Sequence, residues 1–198
     1  MSMVIPYTVE ARRDTGVYNG KLGIWLFLAS EIMLFGGLFS AYVMLRTGAP
    51  EWPKGSELLN VPLATINTVI LIVSGITMVF AWTSLLLDRP EKFRVYALAT
   101  ALLGLAFLCI KSLEYYEKVD HGLLPSTNNF YGIYFVLTGV HFLHIVGGVL
   151  ALLWHAGPGL RLYRHAPGQF TNRVEITGLY WHFVDMVWLV LFPALYLV

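Results

Sequence analysis

Five stretches of mostly apolar residues divide the chain, at 22–45, 61–87, 95–116, 130–154 and 175–198. Each is long enough to cross a hydrocarbon core about 30 Å thick as an α-helix. Inside lipid a segment must satisfy its own backbone N–H and C=O groups, which only helices and closed barrels do. None of the five stretches shows the apolar/polar alternation of a barrel strand. The chain is therefore predicted to be all-α, a polytopic membrane bundle with five transmembrane helices. The third stretch has the shortest uncharged run, which stops at Lys111. Lys111 and Glu114, spaced i,i+3, share a helical face and the lysine stem can snorkel, which extends the span to Tyr115 and Tyr116 at the interface.

With 57% hydrophobic and 13% charged residues, against about 25% charged in soluble domains, the connections are too short to hold a second domain. Residues 1–198 are read as a single transmembrane domain. The net charge of +1 gives no basis for a nucleic-acid partner. Cys109, the one cysteine, cannot form an internal disulfide or a redox pair and is read as a small core residue. The first twenty residues are polar and the first apolar stretch is too long for a signal-peptide core, so no cleaved presequence is expected. Arg12, Arg13, Lys21, Arg89, Lys92, Arg94, Arg161, Arg164 and Arg173 are nine of the thirteen basic residues, and all fall on one side of the bundle. That side is expected to be cytoplasmic, with the C-terminus outside.

Polar residues inside the spans carry the functional signal. An acid near the middle of a membrane helix costs about 2.5–3.5 kcal/mol on insertion scales. At 1.5 Å per residue, Glu31 lies about 14 Å into the first span, His182 and Asp185 about 12 and 17 Å into the fifth, and His144 about 16 Å into the fourth. These four, with His141, are expected to share one membrane layer as a buried polar cluster. Trp181, Asp185 and Trp188 fall on one face of the fifth span. Trp25, Trp181 and Trp188 are candidates for contact with lipid or with neighbouring helices. Asn67 and Ser74, at i,i+7, form a polar stripe expected to face protein. Gly36, Gly37 and Ser40, and likewise Gly147, Gly148 and Ala151, have the small-residue spacing of close helix contacts. Tyr115, Tyr116, Tyr131 and Tyr134 are read as an interfacial belt.

Three readings of the cluster stay open on the residues alone. A metal or haem site would use the histidines, but the remaining ligands of a tetrahedral zinc or a haem pocket are missing. A proton pathway or transporter would use Glu31 and Asp185, without the broken helices and repeated halves of many transporters. A hydrogen-bonded cluster that fixes helix packing requires nothing further.

The chain resembles subunit III of the haem-copper oxidases, most closely cytochrome c oxidase subunit III in its short five-helix bacterial form. The resemblance is carried by Trp25-Leu26-Phe27-Leu28-Ala29-Ser30-Glu31 with Phe35, Phe39 and Tyr42, and by Asn67-Thr68 with Ser74. It continues through Glu114-Tyr115, Gly139-Val140-His141-Phe142-Leu143-His144 with Gly147, and Tyr180-Trp181-His182-Phe183-Val184-Asp185-Met186-Val187-Trp188. It implies an accessory subunit of a proton-pumping oxidase in the bacterial plasma membrane, with no catalytic residue and no metal of its own. Haem and copper would sit in other subunits, and cytochrome c would be the electron donor to the complex. Subunits I and II would be its partners, phospholipid its ligand, and support of proton uptake and of subunit I during turnover its role. The two leading helices of longer members, one wall of their lipid cleft, have no counterpart here. Quinol oxidase versions resemble Ser-Asp at Ser30-Glu31 and Phe-Trp-His at Tyr180-Trp181-His182, which favours the cytochrome c branch. A quinol-oxidase or nitric-oxide-reductase-associated member is the alternative within the family, and a free-standing proton-coupled transporter the alternative outside it.

Overall fold

The computed structural model describes Glu10, Ala11 and residues 15–198; Arg12 and Arg13, two of the basic residues behind the expected orientation, lie outside the described residues. All regular structure among these residues is helical. The five long helices are α1 (Asn19–Gly48), α3 (Val61–Leu86), α4 (Pro90–Asp120), α5 (Asn129–Ala156) and α7 (Pro167–Phe192), the last continued by a π-helical turn, Pro193–Leu197. Each is long and apolar enough to cross a membrane. Two short helices not expected from hydropathy, α2 (Gly55–Leu58) and α6 (Leu160–His165), sit in the connections. They are too brief to carry an apolar period.

Local chemistry sets the ends. Asn60 Oδ1 accepts from Leu63 N at 3.1 Å, and Asn128 Oδ1 accepts from Tyr131 N at 2.8 Å, capping α3 and α5. Pro90 and Pro167 open α4 and α7, where a missing N–H costs nothing. The short α3–α4 turn places Asp88 at φ 52°, and α4 ends at Gly122 with φ 71°, whose glycine accepts the left-handed conformation without strain. Leu123 N then reaches Lys118 O at 2.9 Å.

Helices α3, α4, α5 and α7 pack into a four-helix core, α3 along α4 most extensively, while α1 leans on α7 and α5 from outside. The centre of the core is Trp181 of α7. A Cβ on Gly104 of α4 would lie 2.7 Å from its ring, and one on Gly148 of α5 would lie 2.6 Å from it. These glycines let the indole fit between the helices while its Nε1–H donates to Ser74 Oγ of α3 at 3.0 Å. One side chain thus ties α7 to three neighbours. Further along α7, Trp188 Nε1–H donates to Thr68 Oγ1 at 3.0 Å, and its ring meets Phe107 edge-on with centroids 4.9 Å apart. Both tryptophans are packing residues, fully buried. Trp25 is exposed on the outward face of α1, where lipid would lie.

Several expectations are corrected by this packing. Gly147 and Gly148 do face a close neighbour, but Gly36 and Gly37 face open space and Ser40 bonds only its own helix, at Gly36 O. The first small-residue triplet makes no helix contact because α1 approaches the core through Phe35 and Tyr42 instead. Cys109 is exposed on the lipid-facing side of α4, since the core face of that helix runs through Phe107, Leu108 and Lys111. Of the expected tyrosine belt, only Tyr116 is largely exposed; Tyr115 is half-buried, and Tyr131 and Tyr134 are buried.

Candidate functional site

The polar residues of the spans separate into distinct sites. Residues three apart on a helix differ by about 60° in direction, so neighbours in sequence address different helices. His141 and His144 illustrate this on α5, whereas His182 and Asp185 of α7 face the same neighbour, α3.

The first site is a carboxylate–imidazole pair between α1 and α5. His144 Nε2 lies 2.9 Å from Glu31 Oε2, and both side chains are only about one-seventh exposed, 15% and 14%. His144 Nδ1 faces Val140 O at 2.8 Å. A carbonyl only accepts, so Nδ1 carries a hydrogen. The Nε2–Oε2 contact then needs one proton between the two atoms, held either as imidazolium and carboxylate or as imidazole and carboxylic acid. Both arrangements are neutral overall, which is what a membrane interior favours. Tyr180 of α7 completes the junction, donating through its hydroxyl to His144 O at 2.9 Å, and Phe35 covers the imidazole edge-on. Further contacts fasten the ends of α1. Lys21 Nζ donates to Glu175 Oε1 at 2.6 Å at one end, and at the other Tyr42 OH donates to Ala194 O at 2.6 Å.

Replacing Glu31 by Leu leaves His144 Nε2 without a partner and should loosen the middle of α1 by about 1–3 kcal/mol. Glu31→Gln keeps a hydrogen-bonding group there. Hydrogen exchange in the purified assembly should rise across α1 for Glu31→Leu and stay near the parent level for Glu31→Gln. Equal exchange in both variants would show that packing alone holds the helix.

The second site is a buried charge pair. Lys111 and Glu114 of α4 are each 1% exposed. The expected pair is present, but the lysine does not snorkel: it turns inward, where all three of its N–H donors find acceptors. Lys111 Nζ donates to Glu114 Oε2 at 3.0 Å, to Tyr134 OH of α5 at 3.0 Å, and to the hydroxyl of Tyr196 in the terminal π turn. The two phenols in turn donate to Glu114 Oε1, each at 2.9 Å. The ammonium also lies 4.9–5.4 Å from the ring centroids of Tyr115, Tyr134, Trp188 and Tyr196. Hydropathy gives no pointer to Tyr196. For Tyr134 a signal exists, because Phe130, Tyr134, Leu137 and His141 recur on one helical face that proves to be the buried one.

The remaining polar residues are enclosed or point elsewhere. His141 is sealed between Phe107, edge-on at 5.7 Å, and Trp188, stacked at 5.3 Å, with neither ring nitrogen hydrogen-bonded. Asn67 and Ser74 are buried against protein, as their spacing suggests. His182 and Asp185 face α3 at Gly75, where a Cβ would come within 2.9 Å of Asp185 Oδ2 and 3.5 Å of His182 Nδ1. The single shared layer expected from depth alone is thus resolved into a Glu31–His144 pair, an enclosed His141, and a His182–Asp185 patch. Among the described residues no three His, Cys, Asp or Glu side chains converge as a metal would require.

Fold and sites define a multi-pass membrane protein with one carboxylate–imidazole pair between two helices, Glu31 and His144, and one buried charge pair, Lys111 and Glu114, bonded to tyrosines of neighbouring segments. The family model for cytochrome c oxidase subunit III matches residues 3–198, and the chain belongs to that family. It is 36% identical over 180 residues to the cytochrome c oxidase subunit 3 of Thermostichus vulcanus, covering 89% of this chain and 86% of that one. It is 34% identical over 205 residues to the cytochrome c oxidase subunit 3 of Corynebacterium diphtheriae, covering 99% and 95%. A probable quinol oxidase subunit 3 of Staphylococcus haemolyticus is equally similar, 34% identical over 196 residues with 96% and 94% covered. The family thus includes subunit III of quinol-oxidising as well as cytochrome c-oxidising enzymes, and membership places the chain in a multi-subunit oxidase complex.

Proposed function

We propose that this chain is a non-redox accessory subunit of a proton-pumping haem-copper terminal oxidase. It packs on catalytic subunit I, within a complex that also holds subunit II and takes electrons from cytochrome c. It supports proton uptake, phospholipid binding and the durability of subunit I, in the bacterial plasma membrane with the N-terminus cytoplasmic. The observation that carries this reading is how the buried ionisable groups are used. Glu31 of α1 is occupied by His144 of α5, and the Lys111–Glu114 pair of α4 by Tyr134 and Tyr196, so these groups hold helices together and are not presented as a ligand set. Haem and copper centres require several His, Cys or Met ligands around one point. In this reading such centres belong to the other subunits, where they supply the electron-transfer and oxygen chemistry. The Glu31–His144 contact can hold one proton in two positions, which suits a residue pair beside a proton-pumping neighbour. Glu31 after Ser30, and Tyr180 before Trp181, support the cytochrome c branch over the quinol branch.

Affinity purification through a tag on this chain tests the reading. The expected product is a complex with haem-bearing subunits at fixed stoichiometry. A chain recovered alone, without haem, would favour a free-standing transporter instead.

A further inference from the structure

We infer that the α3–α7 seam around Asp185 is the surface on which a transmembrane helix of another subunit of the oxidase docks, bringing a hydrogen-bond donor to the Asp185 carboxylate. This rests on the accessory-subunit reading and assigns it a contact surface.

Two adjoining grooves, of about 350 and 210 Å³, run along the outer side of this seam and share Val79 and His182. On α7 they extend from Glu175 to Leu189, about 21 Å of helix at 1.5 Å per residue. That length suits a ridge of side chains on a crossing helix. The floor is Gly75, whose missing side chain exposes Asp185 and His182 to the groove.

The walls are mostly aliphatic, from Ile72, Ile76, Val79 and Met186, yet three polar groups on this seam lack partners. Asp185 Oδ1 is buried and accepts no hydrogen bond, and Trp82 Nε1–H is buried and donates none. No hydrogen bond joins His182 to any described residue either. Asp185 lies about 18 Å from the outer end of the helical segment at Leu197 and about 27 Å from its start at Pro167, beyond the reach of headgroups. Acyl chains offer no donor, and a carboxylate left unpaired at that depth is strongly disfavoured.

The contrast with α1 shows why this seam and not the larger apolar face is chosen. The outward side of α1 carries Trp25, Ile32, Met33 and Met44, which hydrocarbon covers well. Its polar residues are already satisfied, Ser30 on Phe27 O and Ser40 on Gly36 O. Lipid completes that face but cannot complete the seam. A protein helix with a serine, threonine, tryptophan or basic side chain at the level of Asp185 can.

The test is site-specific photo-crosslinking in the intact complex, with a benzophenone side chain at the exposed positions Ile76 and Met186 and, for comparison, at Leu143 on the outward face of α5. The expected result is a covalent adduct between each seam position and another subunit of the oxidase. Asp185→Leu should reduce the Ile76 adduct about tenfold, as the loss of one hydrogen bond to a buried charge implies. Asp185→Asn, which keeps an acceptor oxygen, should retain most of it. Lipid adducts alone at Ile76 and Met186, in a complex that still contains the chain, would overturn the docking surface and leave the accessory reading standing. Adducts only between two copies of this chain would also overturn it. Failure of the chain to co-purify with any haem-bearing subunit would overturn both.

Discussion

Lys111→Met should destabilise the bundle by about 3–5 kcal/mol, more than the loss of any one neutral hydrogen bond would, because it strands Glu114 as an unpaired charge in the core. The carboxylate would keep its two tyrosine donors but lose the ammonium that neutralises it. Glu114→Leu should cost a similar amount by stranding Lys111 between Tyr134 and Tyr196. The double variant Lys111→Met/Glu114→Leu leaves no unpaired charge and should lose much less than the sum of the singles. Replacing a buried ion pair by apolar residues of similar volume is often close to neutral. Tyr134→Phe, which removes one donor and one acceptor from a network that otherwise persists, should cost about 1–3 kcal/mol. Unfolding of the four variants in a denaturing-detergent titration of the purified complex, read by retention of this chain, measures the cycle. Single variants as stable as the parent, or strictly additive losses, would show that the pair contributes nothing specific.

The network's position gives the penalty a structural consequence. Tyr196 belongs to the terminal π turn, which also receives Tyr42 of α1 at Ala194 O and presses on Gly55 of α2, where a Cβ would come within 1.8 Å of Leu195 O. Lys111 and Glu114 therefore anchor the chain end that closes one face of the bundle. Loss of the pair should release this turn before the helices separate.

The spans are legible in the sequence because hydropathy and length alone decide whether a helix can cross lipid; the five long helices overlap the five apolar stretches with ends displaced by a few residues, more at the starts of α4 and α7. The Glu31 partner is legible in part, since an acid at that depth demands one, and depth brings His144 within range. Depth does not fix direction about the helix axis, and this is why His141 and His182, at similar levels, face other neighbours. Lys111 departs from its expected orientation for a related reason. Snorkelling is the default for a lysine near a helix end, and only the tertiary arrangement of Tyr134 and Tyr196, 23 and 85 residues away in sequence, makes the inward orientation the cheaper one. Tyrosine rings at span ends prefer the interface, whereas here buried acceptors draw two of them into the core. Gly36 and Gly37 carry the same spacing as Gly147 and Gly148, but only the latter pair has neighbours opposite, the Tyr180 hydroxyl at Gly147 and the Trp181 indole at Gly148. Small residues permit a close approach without causing one.

In the proposed role this chain sustains an oxidase without carrying its electrons. Removing it should leave the metal centres in place and impair what surrounds them. Neither buried histidine of the middle of α5 is offered to a metal: His144 is taken up by Glu31 and Val140, and His141 is closed over by Phe107 and Trp188. The conspicuous groups are instead a carboxylate–imidazole contact between α1 and α5 and a buried charge pair on α4. The decisive comparison sets the intact complex against one depleted of this chain for haem and copper per subunit I, initial rate, proton uptake, and decay of rate with turnover. Metal content and spectra should be unchanged, with slower proton uptake and a rate that decays over fewer turnovers. Loss of a haem or copper centre in proportion to the missing chain would refute the accessory role.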